Sequence, residues 1–85
     1  MIFVYPIFYS YRYEVNNIKT YSNILKTYYY TEDAIPIVNV KQAGLYMKHE
    51  IPLLDIFYSV DKIVFMFDKQ KSKTVYELWQ KRELT

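Results

Sequence analysis

The 85-residue chain contains no cysteine. Disulfides, thiolate metal sites and thiol nucleophiles are therefore excluded, and the composition fits a reducing compartment. It has one glycine, Gly44, so a glycine-rich loop that cradles phosphates cannot be built. One histidine, His49, is present. A metal site would need carboxylates gathered around it from afar, and nothing marks a nucleophile for which it could act as base. No apolar run approaches the ~20 residues of a membrane helix. The apolar start, MIFVYPIF, lacks a basic flank and leads into Arg12 and Glu14 without a small-residue cleavage site. The expectation is a cytoplasmic protein with no membrane partner, no cofactor and no metal.

What the chain does have is apolar and aromatic material. Hydrophobic residues make up 52% and aromatic residues 20%, enough for one small core without staples. Eight of the 11 tyrosines lie within the first thirty residues: Tyr5, Tyr9, Tyr11, Tyr13, Tyr21, Tyr28, Tyr29 and Tyr30. In FYSYRYEV (8–15), Tyr9, Tyr11 and Tyr13 alternate with polar residues, which puts three phenols on one face of a strand. That row has three readings: buried side of a sheet, surface for a partner protein, or stacking platform for nucleic-acid bases. Abundant Tyr, Ile, Lys, Phe and Asn alongside scarce Gly, Ala, Pro and Arg also fit an A/T-rich genome, which raises tyrosine everywhere.

Formal net charge is +2, too small by itself to imply a nucleic-acid partner. It is unevenly placed. From Lys69 onward, Lys69, Lys71, Lys73, Lys81 and Arg82 face only Glu77 and Glu83, a local +3. Lys69, Lys71 and Lys73 stand where a last helix begins, although a helix start favours acids. They form a candidate anion or acidic-partner site, or else a solvated loop ahead of a helix starting near Ser72 or Lys73.

Pro6 interrupts a strand-like run over 2–8, and 8–15 is the alternating strand. After Asn16-Asn17, the spacing of Ile18, Tyr21, Leu25 and Tyr28 predicts a helix over 18–30 capped by either asparagine. The β propensity of Tyr28-Tyr29-Tyr30 keeps a strand open as the alternative. TEDAIP (31–36) reads as a loop. Asn39 and Gln42 form a capping-box-like pair for a second helix with Val40, Ala43, Gly44 and Met47 on its inner face, stopped by Pro52. Gly44 there implies close helix packing. Residues 53–60 and 62–68 read as a hairpin around Asp61, with Leu54, Ile56 and Tyr58 on one face and Ile63, Phe65 and Phe67 on another. Phe57, Val64 and Met66 occupy the opposite faces, so the sheet needs a cover on both sides. Asp68 caps a last helix with the stripe Val75, Leu78 and Trp79. Asp55, Asp61 and Asp68 each have a local role and do not converge.

The segments VKQAGLYMKHEIPLLDIFYS and KIVFMFDKQKSKTVYELW resemble a family of small uncharacterised proteins of low-GC Gram-positive bacteria and of their phages and mobile elements. The resemblance covers roughly 38–84, a helix–hairpin–helix unit, and rests on structural positions such as VFMFD (64–68) and Trp79. It implies a fold and a phage or mobile-element origin, and no reaction. The family usually has glycine at the helix exit, where this chain has His49-Glu50, and in the hairpin turn, where this chain has none. Residues 1–35, a tyrosine-rich N-terminal extension, lie outside it.

These features predict a single α+β domain over 1–85, with an antiparallel sheet of about three strands packed with two or three helices. The expected function is non-enzymatic: an accessory protein that binds and blocks a host macromolecule, most sharply a defence nuclease, as anti-CRISPR inhibitors do. Its partner-binding residues would be Tyr9, Tyr11, Arg12, Tyr13, Lys69, Lys71 and Lys73. The rivals are a nucleic-acid-binding module built on the same lysines and tyrosines, and a self-assembling protein with Val64 and Met66 at a homodimer seam.

Overall fold

The computed structural model describes residues 18–85. The strands expected over 2–8 and 8–15, the turn at Asn16-Asn17, and the candidate site residues Tyr9, Tyr11, Arg12 and Tyr13 lie outside the described residues. Within them the chain is α+β, with two antiparallel sheets and two α-helices.

The first sheet is a hairpin of β1 (Lys19–Ser22) and β2 (Thr27–Tyr30). It is the strand alternative that the β propensity of Tyr28-Tyr29-Tyr30 keeps open, in place of the helix expected over 18–30. Threonine and tyrosine suit a half-buried pleated surface, and the turn is closed locally. The Lys26 N–H donates to the Ser22 carbonyl at 2.8 Å, and the Leu25 N–H donates to Ser22 Oγ at 3.0 Å. The helical spacing had selected surface residues: Ile18, Tyr21, Leu25 and Tyr28 are all exposed. Ser22 and Tyr29, outside that pattern, are the buried ones.

A 3-10 turn at Thr31–Asp33 leads to β3 (Ala34–Ile37), so the expected loop over 31–36 is mostly ordered backbone. β3 is an edge of the second sheet, whose order is β3-β5-β4. Pro36 is tolerated there because an edge strand does not need every ladder donor.

Asn39 caps α1 (Val40–Lys48), its Oδ1 accepting the Gln42 N–H at 2.9 Å. Gln42 does not complete the box; its Nε2 donates instead to the Tyr46 hydroxyl at 3.1 Å. The buried face is Gln42, Ala43 and Tyr46. Of the residues expected inside, only Ala43 is buried, while Val40 is 70% exposed and Gly44 and Met47 also face out. A Cβ at Gly44 would meet nothing within 4 Å, so close packing does not explain the glycine. The aromatic ring of Tyr46 sets the helix rotation, because it packs on Phe67 with ring centroids 5.1 Å apart. Glu50, at φ 61°, ends the helix in the left-handed region. Its N–H donates to the Met47 carbonyl and the Ile51 N–H to the Tyr46 carbonyl, a Schellman pattern that satisfies the last carbonyls.

β4 (Leu53–Ser59) and β5 (Lys62–Asp68) form the expected hairpin, reversed by Val60-Asp61. Both turn residues have positive φ, 46° and 68°, as a type I′ turn requires. A bulge shifts the register between Leu53 and Asp55. Beyond it, Ile56 lies across from Phe65 and Tyr58 across from Ile63, so these share one side of the sheet, while Leu53 takes the place expected of Leu54 opposite Phe67. α1 and α2 (Lys73–Gln80) pack on that side around Phe65 and Phe67, while Tyr58 and Ile63 near the turn stay exposed. The core there is Ile37, Ala43, Tyr46, Phe67, Val75 and Leu84, and Leu78 and Trp79 of the expected stripe pack against it. The other side carries Asp55, Phe57, Val64 and Met66, and the β1–β2 hairpin lies over it along β4. Val64 and Met66 are half-buried.

Candidate functional site

The lysine cluster does not form a convergent cationic patch. α2 begins at Lys73, and Asp68 stabilises the turn before it instead of capping the helix. Asp68 Oδ1 accepts the Lys71 N–H at 2.9 Å, and the Asp68 carbonyl accepts from Ser72 Oγ at 2.6 Å. Lys69 and Lys73 line a depression of about 980 Å³, but Glu32, Asp33 and Asp68 line it with them. Lys71 is exposed and lies apart from that lining. Carboxylates outnumber ammoniums in the depression, which removes the net attraction for an anion.

A different surface gathers the features expected of the tyrosine row. Register places Tyr21 across from Tyr28 and Lys19 across from Tyr30, so these four side chains share the outward face of the β1–β2 hairpin. The Tyr21 and Tyr28 rings meet edge-on, centroids 4.9 Å apart, and Lys19 Nζ sits 4.9 Å from the Tyr28 centroid. Tyr28 is 61% exposed, and Tyr21 and Tyr30 are exposed beside it. Ile24 and Leu25 at the hairpin tip are also exposed. Residues 18–30 contain Lys19 and Lys26 and no acid.

The inward face anchors the hairpin. The Tyr29 hydroxyl donates to Asp55 Oδ2 at 2.8 Å, and Asp55 Oδ1 accepts the Ile56 N–H, also at 2.8 Å. Asp55 is only 5% exposed, so these bonds are what makes its burial tolerable. Burial, then the hydrogen bond to Asp55 and its charge, push the Tyr29 phenol up to about 12. Tyr29 is therefore a donor that stays protonated across ordinary pH. Tyr46 is also raised, first by burial and then by Tyr76, against the opposing hydrogen bond from Gln42.

The remaining chemical candidates have local partners. His49 Nε2 lies 2.8 Å from the Thr85 carbonyl oxygen. Asp61 Oδ1 accepts the Tyr58 hydroxyl at 3.2 Å across the β4–β5 turn. Among the described residues no group of three His, Asp or Glu side chains is placed to hold a metal ion, and no helix is long and apolar enough to cross a membrane. The Tyr29–Asp55 bond is a long-range contact that no motif or spacing in the sequence predicts. Its one signal is an aspartate inside the apolar run LLDIFYS, a position that needs a buried donor. No protein-family model, curated protein or solved structure matches the chain.

Proposed function

We propose that the protein is a non-enzymatic binding protein that docks on a host protein through the outward face of the β1–β2 hairpin and blocks it. The exposed Tyr21–Tyr28–Tyr30 cluster beside Lys19 carries this reading. Tyrosine buries a large area with few rotors and keeps a polar tip, and it is enriched where proteins meet. The Tyr29–Asp55 bond holds the hairpin against β4, so the rings are presented with little further ordering to lose on binding. Lysines without acids over 18–30 favour an acidic contact surface on the partner. The proposal extends to an accessory role against a host factor, with a defence nuclease as the sharpest case.

The test is a Tyr21/Tyr28/Tyr30→Ser variant whose fold is checked by circular dichroism. A host protein retained by the parent chain and released by this variant is the expected result. Retention of the same protein by both would refute the assignment of the face. A nucleic-acid reader would instead hold oligonucleotides with an affinity that falls steeply with salt. A self-assembling protein would grow in light scattering with concentration.

A further inference from the structure

A second cleft, of about 480 Å³, opens beside the carboxyl end of α2 and is lined by Lys41, Trp79, Gln80, Arg82 and Leu84. Unlike the depression beside Lys69, it has no carboxylate in its lining. It offers one guanidinium, one ammonium, one amide and one indole over an apolar leucine. We propose that this cleft binds a phosphate monoester carried on a flat ring, the chemistry of a nucleoside monophosphate or of the phosphorylated end of a single strand.

Arginine presents a planar fork that matches phosphate oxygens two at a time, and lysine adds a point charge. Trp79 packs on the core and is half-buried, but part of its indole lines the cleft, where a nucleobase can stack, and an amide at position 80 can meet a base edge with a donor and an acceptor. The volume falls within the range of small-ligand pockets. Arg82 is held in place by its backbone: its N–H donates to the Trp79 carbonyl at 3.0 Å, and the Glu83 N–H donates to the Leu78 carbonyl at 2.8 Å. That corner fixes the backbone from which the Arg82 side chain reaches the cleft lining. The cleft shares no residue with the hairpin face, so it stands or falls independently of the proposed docking function.

Trp79 is the one tryptophan, so its emission, excited where tyrosine does not absorb, reports the cleft directly. The full chain is titrated with adenosine monophosphate, adenosine, inorganic phosphate, and an oligonucleotide with and without a terminal phosphate. Saturable quenching by adenosine monophosphate is expected, with adenosine and inorganic phosphate each about tenfold weaker or more. Binding of the end-phosphorylated strand but not of the free nucleotide identifies a strand end as the source. Lys41→Ala and Arg82→Gly should each weaken binding about tenfold. Arg82 has φ 61°, so glycine there relieves the backbone and the loss cannot be ascribed to unfolding. No saturable response to either phosphorylated probe, equal binding by the two variants, equal affinity for inorganic phosphate, or displacement by an acidic peptide at lower concentration would each overturn the proposal.

Discussion

Removing the phenol of Tyr29 tests the anchor that joins the two sheets. Tyr29→Phe keeps the ring in place but deletes the donor to Asp55 Oδ2. A buried carboxylate oxygen left without its partner costs about 1–3 kcal/mol, so the variant should be about 2 kcal/mol less stable near neutrality. The same hydroxyl makes the parent protein sensitive to alkali. Its folded pKa, about 12, lies above the ordinary 10, so folding favours the neutral phenol. That contribution is fully present below pH 10 and is lost as pH rises through 12. The two-unit gap sets an upper bound of about 3 kcal/mol, which solvent screening reduces, and most of the loss falls between pH 10 and 12. Urea unfolding of both proteins at pH 8 and in that alkaline window cancels every other titrating group. The parent's advantage of about 2 kcal/mol should shrink to nearly nothing. Amide exchange should show the loss first in β1 and β2, ahead of the central strand β5. A stability difference that is equal at both pH values, or a variant as stable as the parent at pH 8, would refute the reasoning.

Two further substitutions probe backbone fit. Val60 is a β-branched residue at φ 46°, so Val60→Asn in this type I′ turn should stabilise by about 1 kcal/mol and raise Tm by several degrees in a calorimetric scan. Gly44→Ala places a methyl where nothing lies within 4 Å, so helix propensity alone should act. A gain of up to about 1 kcal/mol is expected in denaturant unfolding, and a loss would mean that the space is occupied.

The carboxyl-terminal half was legible because its signals are local and agree with one another. Asn39 caps where its spacing to Gln42 says it should, Pro52 follows the helix end, and alternation around Val60-Asp61 produces the hairpin. Val75, Leu78 and Trp79 turn inward as their stripe predicts. The failures have a common cause in long-range contacts. Ile18, Tyr21, Leu25 and Tyr28 keep a helical period, yet their strands form because Tyr29 finds Asp55 twenty-six positions away. α1 is rotated by Tyr46 against Phe67, a choice that Val40 and Met47 could not reveal. The lysines at 69, 71 and 73 looked unbalanced only until Glu32 and Asp33 arrived from the preceding turn. The exposed tyrosines were readable in kind but not in place, since strand register decides which rings face out.

One glycine among 85 residues leaves the left-handed corners among the described residues to other side chains: Lys26, Glu50, Val60, Asp61 and Arg82. Four of these five are acidic or basic residues and all are exposed. Charge at exposed corners disfavours close approach between molecules of a chain that is half apolar by composition. Replacing all of these corner residues with glycine would ease the backbone while stripping charge from its most protruding points, and the expected cost is paid in colloidal behaviour instead of folding.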